Sequence, residues 1–269
     1  MAEHQQTNIM RRLVVRVSRT SLSFSTATPG DISYEAYPLN SSISMAANLR
    51  EALQSVEMLK EKYDRVLVMA DSQVMVVPTT LFHEDEKEEL FRYTYTGMGQ
   101  GQYTIMHAVL PDLNSVAVFA VLKDFRTVID DAFPAVRYIP AMAPVWRHLH
   151  QRSYTGQRNK LYVYFHENYM DVMSYTQNRF KFCNSYAVNN PNDAIFYMLS
   201  VWKQLGLEAE HDELHMVGGI ADSEAVTEEL QKFIKRVYFI NPSGEFNRAP
   251  ITQIKGMPYD LITLYVKGL

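Results

Sequence analysis

The strongest constraint on the fold is a repetition of order. Starting at Leu13 and again at Leu161, the chain reads as three short strands, a helix and a fourth strand. In the first copy the strands are "LVVRVS", "SLSFSTA" and "ISYEAYPL", rich in β-branched residues and separated by tight polar turns that include Pro29-Gly30. In "SISMAANLREALQSVEMLKEKY", Met45, Leu49, Leu53, Val56 and Leu59 recur at three- and four-residue steps, which predicts an amphipathic helix. "RVLVMA" follows as a short buried strand. The second copy runs "LYVYFH", "YMDVMSY", "RFKFCNSYAV", the helix "PNDAIFYMLSVWKQLGL" and the strand "ELHMVGG". Pro191 is placed to begin that helix and Gly206 to end it.

The offset is constant: 161 minus 13 and 214 minus 66 both give 148, so Leu13 falls on Leu161 and Val66 on Leu214 without a gap. Identity between the copies is sparse, and a chance recurrence of a common order is the competing explanation; a duplication, or two like domains, accounts better for the spacing. Beyond the fourth strand the copies diverge. The first adds a strand at Val74–Val77, a helix in "HEDEKEELFRYT", the strands "YTIMHAV" and "SVAVFAV", and the helix "KDFRTVIDDAF". The second closes with a helix from about Asp222 to Arg236, the strand "VYFI" and the tail "MPYDLITLYVKGL". "HLHQRSYTGQRNK" is polar and turn-prone and is expected to link the copies, which sets the domains at residues 11–150 and 151–269.

Composition excludes several classes. The net charge is −4 with Lys and Arg spread along the chain, so nothing favours a nucleic-acid partner. No apolar run reaches the length of a membrane span, and Arg16 interrupts the first apolar run, which does not read as a secretory signal. One cysteine, Cys183, makes neither an intramolecular disulfide nor a thiolate cage; a reducing, cytoplasmic setting is expected, with Cys183 an inert strand residue. His148 with His150, and His211 with His215, are incomplete metal sites, so no metal is expected. "TGMGQGQY" lacks the lysine and hydroxyl of a phosphate loop and reads as a connection. Tyr162 and Tyr164 share one face of their strand, and core packing is the expected reason.

Two β-β-β-α-β-α modules in tandem resemble the actin-like ATPase fold, a duplicated ribonuclease-H-like α/β architecture with mixed sheets. Through "RVLVMADSQVMVVPTTLF", "NSVAVFAVLKDFRTVIDDAFPAVRYI", "KLYVYFHENYMDVMSYTQNRFKFCNSY" and "YMLSVWKQLGL", the chain also resembles an uncharacterised bacterial family, domain of unknown function 3822, and more distantly the PilM-type pilus assembly proteins. The resemblance implies where a nucleotide would sit. Actin-like ATPases hold phosphates in the hairpin between the first two strands of each domain, using glycine and aspartate. Here those turns are "SRTS" (Ser18–Ser21) and "HENY" (His166–Tyr169), with neither residue type. A glycine pair after a strand of the second domain passes close to the adenosine in such ATPases, and Gly218-Gly219 stands at that position, with Asp222 or Ser223 able to cap the next helix. Gly218, Gly219 and Arg19 are therefore the candidate cofactor-binding residues, with ATP the implied cofactor; no catalytic residue is expected. The reading is a non-catalytic binding or scaffold protein with a degenerate nucleotide site, working through a protein partner, a small molecule or a second copy of itself. The alternative is a nucleotide-binding ATPase or switch using the interdomain cleft.

Overall fold

The computed structural model describes residues 11–28, 31–98 and 101–268. The expected turn at Pro29-Gly30 lies outside the described residues, as do Gly99 and Gln100 of the glycine-rich connection. The chain divides into two compact units: Met1–Val109 with Val116–Ala141, and Leu110–Ser115 with Met142–Leu269.

In the first unit the elements are β1 (Arg12–Val17), β2 (Leu22–Thr28), β3 (Asp31–Tyr37), α1 (Met45–Ser55), β4 (Arg65–Ala70), β5 (Val74–Pro78), α2 (Lys87–Thr94), β6 (Tyr103–Leu110), β7 (Ser115–Leu122), α3 (Lys123–Ala132) and β8 (Val136–Pro140). Five strands form one sheet in the order β3-β2-β1-β4-β8, with β5, β7 and β6 in a separate small sheet. β1 runs antiparallel to β2 and parallel to β4, and β4 runs parallel to β8. The core beside this sheet is built from Leu13, Val15, Phe24, Leu49, Val66 and Val68, closed by Phe119, Phe125 and Ile129.

The second unit contains α4 (Ala143–Ser153), β9 (Lys160–His166), β10 (Tyr169–Thr176), β11 (Arg179–Ala187), α5 (Pro191–Gln204), β12 (Glu213–Gly218), α6 (Ser223–Gln231), β13 (Val237–Phe239), α7 (Pro242–Glu245) and α8 (Tyr259–Lys267). Its sheet has the order β11-β10-β9-β12-β13, which is the same topology. Register confirms the repeat pair by pair. Leu13 lies opposite Val66, and 148 residues on Leu161 lies opposite Leu214; Val15 lies opposite Phe24, and Val163 opposite Val172. The copies differ where the β10–β11 pairing slips by one residue between Ser174 and Tyr175, a bulge that leaves Lys181 without a partner across the ladder.

Local chemistry explains the element ends. Asn190 caps α5 by accepting from the Asp193 amide at 3.1 Å, Pro191 occupies the first turn, and Gly206 adopts φ +65 just past the helix. The helix expected to run from Ser42 to Tyr63 ends instead at Ser55, because Val56 turns extended; a single 3₁₀ turn at Glu57–Lys60 then keeps both Val56 and Leu59 in the core. The helix expected from Asp222 to Arg236 likewise stops at Gln231.

The expected linker is irregular only in its second part, residues 154–159. His148 to Ser153 continue α4, which begins at Ala143, so a boundary between 150 and 151 falls inside a helix. The polar letters misled because His148 and His150 are buried together with Val145, Trp146 and Leu149, and α4 packs on α8. β8, absent from the sequence reading, is too short for its pattern to show and is held by parallel pairing to β4. Equivalent core positions should carry equivalent loads: Leu13→Ala and Leu161→Ala, both at fully buried residues, are each expected to cost about 2–5 kcal/mol, read as a lowered midpoint in urea denaturation.

Candidate functional site

In the first unit, the turn after β1 is closed by its own serines. The Ser18 amide donates to the Ser21 carbonyl at 2.9 Å, and Ser18 Oγ accepts from the Thr20 and Ser21 amides at 3.1 and 2.9 Å. Arg16, only 4% exposed, lies under this turn. Its guanidinium donates to Ser21 Oγ at 3.2 Å and to Asp71 Oδ2 at 3.1 Å. Asp71 follows β4 directly and is positioned by its amide, which donates to the Val17 carbonyl at 2.8 Å. A depression of about 60 Å³ opens here, lined by Ser18, Arg19, Asp71, Gln73 and Tyr103 among others. Ligand pockets run to several hundred Å³, so this space by itself holds waters or a small ion. Arg19 is exposed on the turn beside it.

The second hairpin solves the same problem with different residues. His166, at the end of β9, is buried and hydrogen-bonds through Nε2 to Asp171 Oδ2 on β10. Glu167 takes the bend with φ +50. Tyr164 Oη donates to Asp260 Oδ2 on α8 at 3.3 Å. By the 148-residue offset Tyr164 stands where Arg16 stands and Gly219 where Asp71 stands. The hydrogen bond from Asp71 to Val17 is repeated as that from the Gly219 amide to the Phe165 carbonyl at 3.2 Å. The buried cation and its carboxylate are thus replaced together, by an uncharged ring and a glycine.

Gly218 has a reason of its own. It adopts φ +99, and a Cβ there would lie 2.0 Å from the Phe165 carbonyl oxygen, whereas one on Gly219 would meet nothing within 4 Å. Only glycine lets β12 end this way against β9. Asp222 stands at the start of α6 but in the left-handed region, φ +53, with no side-chain cap hydrogen bond, so the expected cap is not formed; the Ser223 carbonyl instead accepts from Thr227 Oγ1. Gly218 and Gly219 belong to the second unit and Arg19 to the first.

Behind β9, on the face away from α5 and α6, lies a dense set of rings and histidines. Tyr162 and Tyr164 are both almost fully buried there, as core packing predicts. The ring of Tyr162 packs at a tilt beside those of Tyr175 and His215, and that of Tyr164 beside those of His166 and Tyr259. The strongest polar cluster joins α4, α7 and α8. Glu245 accepts from Tyr259 Oη at 2.8 Å and pairs with His148 Nε2 at 2.9 Å and with Arg152. Burial works against the Glu245 carboxylate, but the hydrogen bonds from His148 and Tyr259 and the nearby positive charge outweigh it and lower its pKa. Three further histidines are also engaged: His150 with the Gln177 carbonyl and Tyr154 Oη, His211 with Asp212, and His215 with Glu213. Burial lowers the pKa of His215 against the pull of Glu213. Among the described residues no group of three or more His, Cys, Asp or Glu is arranged to hold a metal ion. Cys183 lies on β11, its thiol pKa pushed up by burial and then by Asp171, so the thiolate is disfavoured. Also among the described residues, no helix is long and apolar enough to cross a membrane.

Sequence reasoning missed Arg16, Asp71 and Asp171. The signal was present for Arg16, since a lone arginine inside "LVVRVS" must find a partner once buried, but nothing in the sequence named Asp71 as that partner. Asp171 lies two residues beyond the turn where an aspartate was sought.

Two sheets of order 3-2-1-4-5, each with the first and fourth strands parallel, define a duplicated ribonuclease-H-like fold of the actin-like ATPase type. A solved protein from Bacteroides thetaiotaomicron, described as having an actin-like ATPase fold and unknown function, superimposes with a TM-score of 0.79 at 28% identity, covering 90% of this chain and 95% of that one. A chain of a PilM–PilN type IV pilus biogenesis complex matches with a TM-score of 0.57 at 12% identity over 95% of this chain and 97% of its own, which shows the fold alone. No curated protein matches. The model of the family described as "Protein of unknown function (DUF3822)" matches residues 4–237, and the chain belongs to that family.

Two measurements test the site. Gly218→Ala is expected to destabilise by about 2 kcal/mol or more, from the left-handed backbone and the clash with β9, while Gly219→Ala stays within about 0.5 kcal/mol; thermal unfolding compares them. Because the pKa of Glu245 is depressed in the folded state, its contribution is present above its ordinary value of 4.5 and is lost as pH falls through the lower folded value. Urea midpoints should therefore fall on acidification below about pH 4.5, and less steeply in Glu245→Gln.

Proposed function

We propose that this chain is a non-catalytic binding or scaffold protein of the actin-like fold, working through a protein partner in a reducing, cytoplasmic setting. The observation that carries the reading is that the polar groups of both phosphate hairpins are engaged with the chain's own side chains. In the first, Arg16 is tied to Asp71 and Ser21, and Ser18 closes the turn. In the second, His166 is tied to Asp171. A carboxylate already neutralised by a buried guanidinium is poorly placed to position a metal ion, and a hairpin without glycine keeps its amides from closing on a phosphate. Gly218 is accounted for by the approach of β12 to β9, which removes the need to explain it by adenosine. The similar PilM chain occurs in a complex with another protein, and a fold of this kind serving as a protein-binding platform is consistent with that.

The competing reading, a nucleotide-dependent ATPase or switch using Arg19, Gly218 and Gly219, makes a different forecast. A ligand that binds only the native state must stabilise it, by about 2.7 kcal/mol at a hundred times its dissociation constant. Thermal unfolding of the full chain with millimolar ATP or ADP, with and without magnesium, is expected to show no shift. A magnesium-dependent shift that Gly219→Leu abolishes, or ATP turnover with the same sensitivity, would replace the scaffold reading with the ATPase.

A further inference from the structure

Each five-stranded sheet ends on one side in a long strand, β3 in the first unit and β11 in the second. They are the equivalent third strands of the two copies. The opposite edges are short: β13 has three residues, and β8 has five and ends in Pro140. β3 has seven residues and β11 nine, of which Phe182 to Ala187 lie beyond the bulge in regular register with β10. An edge of this length offers a row of backbone donors and acceptors to another strand.

The charges on the two edges are opposite. β3, "DISYEAY", carries Asp31 and Glu35 and no base; β11, "RFKFCNSYA", carries Arg179 and Lys181 and no acid. All four side chains are exposed. Among the described residues none of the four is in an ion pair, and Lys181 Nζ donates only to the Leu205 carbonyl at 3.3 Å. A charged residue on an edge commonly serves to keep other strands away; one sign on both edges would add repulsion to every pairing between copies, and here the signs differ. Here a β3–β3 contact would set carboxylates against carboxylates, and a β11–β11 contact would set bases against bases. Arg179 and Lys181 lie at the bulged end of β11; only the mixed contact brings edges of opposite sign together, and cross-strand pairs of opposite charge stabilise where like pairs repel.

We propose that β3 of one copy of this chain pairs with β11 of a second copy, extending the two sheets into one across the contact. The contact is heterologous, so each added copy presents the same two edges again, and assembly proceeds head to tail. It uses no residue of the hairpins or of the Gly218 corner, and therefore stands or falls separately from the binding reading above.

Sedimentation velocity on the full chain over a wide range of concentration, at low and high salt, tests it. The wild-type mass should rise with concentration and fall back with salt, since exposed charges are screened. The double variants Asp31→Lys/Glu35→Lys and Arg179→Glu/Lys181→Glu should each weaken self-association at least tenfold while keeping the wild-type unfolding midpoint. An equimolar mixture of the two should associate again, because one then carries only bases on its edges and the other only acids. A wild-type chain that stays monomeric at several hundred micromolar, association that neither double variant weakens, or a mixture that does not recover would each overturn the proposal.

Discussion

Everything in this protein hangs on the parallel pairing of the first and fourth strands, made twice. β1 on β4 and β9 on β12 form the centre of each sheet. Parallel neighbours cannot be joined by a short hairpin, so after the second and third strands the chain leaves the sheet and crosses back, and α1 and α5 cover it while it does. The residues that face those helices are Leu13, Val15, Val66 and Val68 in one unit and Leu161, Val163, Leu214 and Met216 in the other. Once that register is set, the hairpin to the second strand and the corner after the fourth strand come together at one end of each sheet. The Val17 to Asp71 and Phe165 to Gly219 hydrogen bonds mark that end in both.

What the two units do with that end differs, and the difference obeys electrostatics. A guanidinium as buried as Arg16 loses its hydration, and leaving it unpaired costs several kcal/mol; Asp71 and Ser21 therefore come with it. In the second unit Tyr164 replaces the cation, and the matching carboxylate position becomes Gly219. The Tyr164 hydroxyl donates instead to Asp260 of α8. The two units thus differ at paired positions together while the backbone ladder is the same in both.

The far face of the second sheet shows how much polar chemistry a core accepts when its buried carboxylate is paired. Glu245, His148, Arg152 and Tyr259 tie three helices together beneath the rings of Tyr162 and Tyr164. Burial alone would raise the Glu245 pKa; three donors reverse the sign. The same arrangement makes α4 a structural helix of the second unit. Its sequence, "APVWRHLHQRS", carries too few apolar letters to announce one.

By itself the sequence determined the modules: strand order, the helix caps of α5, the 148-residue offset and the absence of glycine and aspartate from both hairpin turns. These are local or periodic properties, written in alternation, in three- and four-residue steps, and in residues such as Pro191 and Gly206 whose conformational preferences do not depend on distant contacts. Tertiary structure alone decided that Arg16 meets Asp71, 55 residues away, that Glu245 gathers side chains from α4 and α8, and that Gly218 is required by the Phe165 carbonyl. Partners of buried polar groups are chosen by which strands and helices pack side by side, and one-dimensional patterning carries no record of that choice.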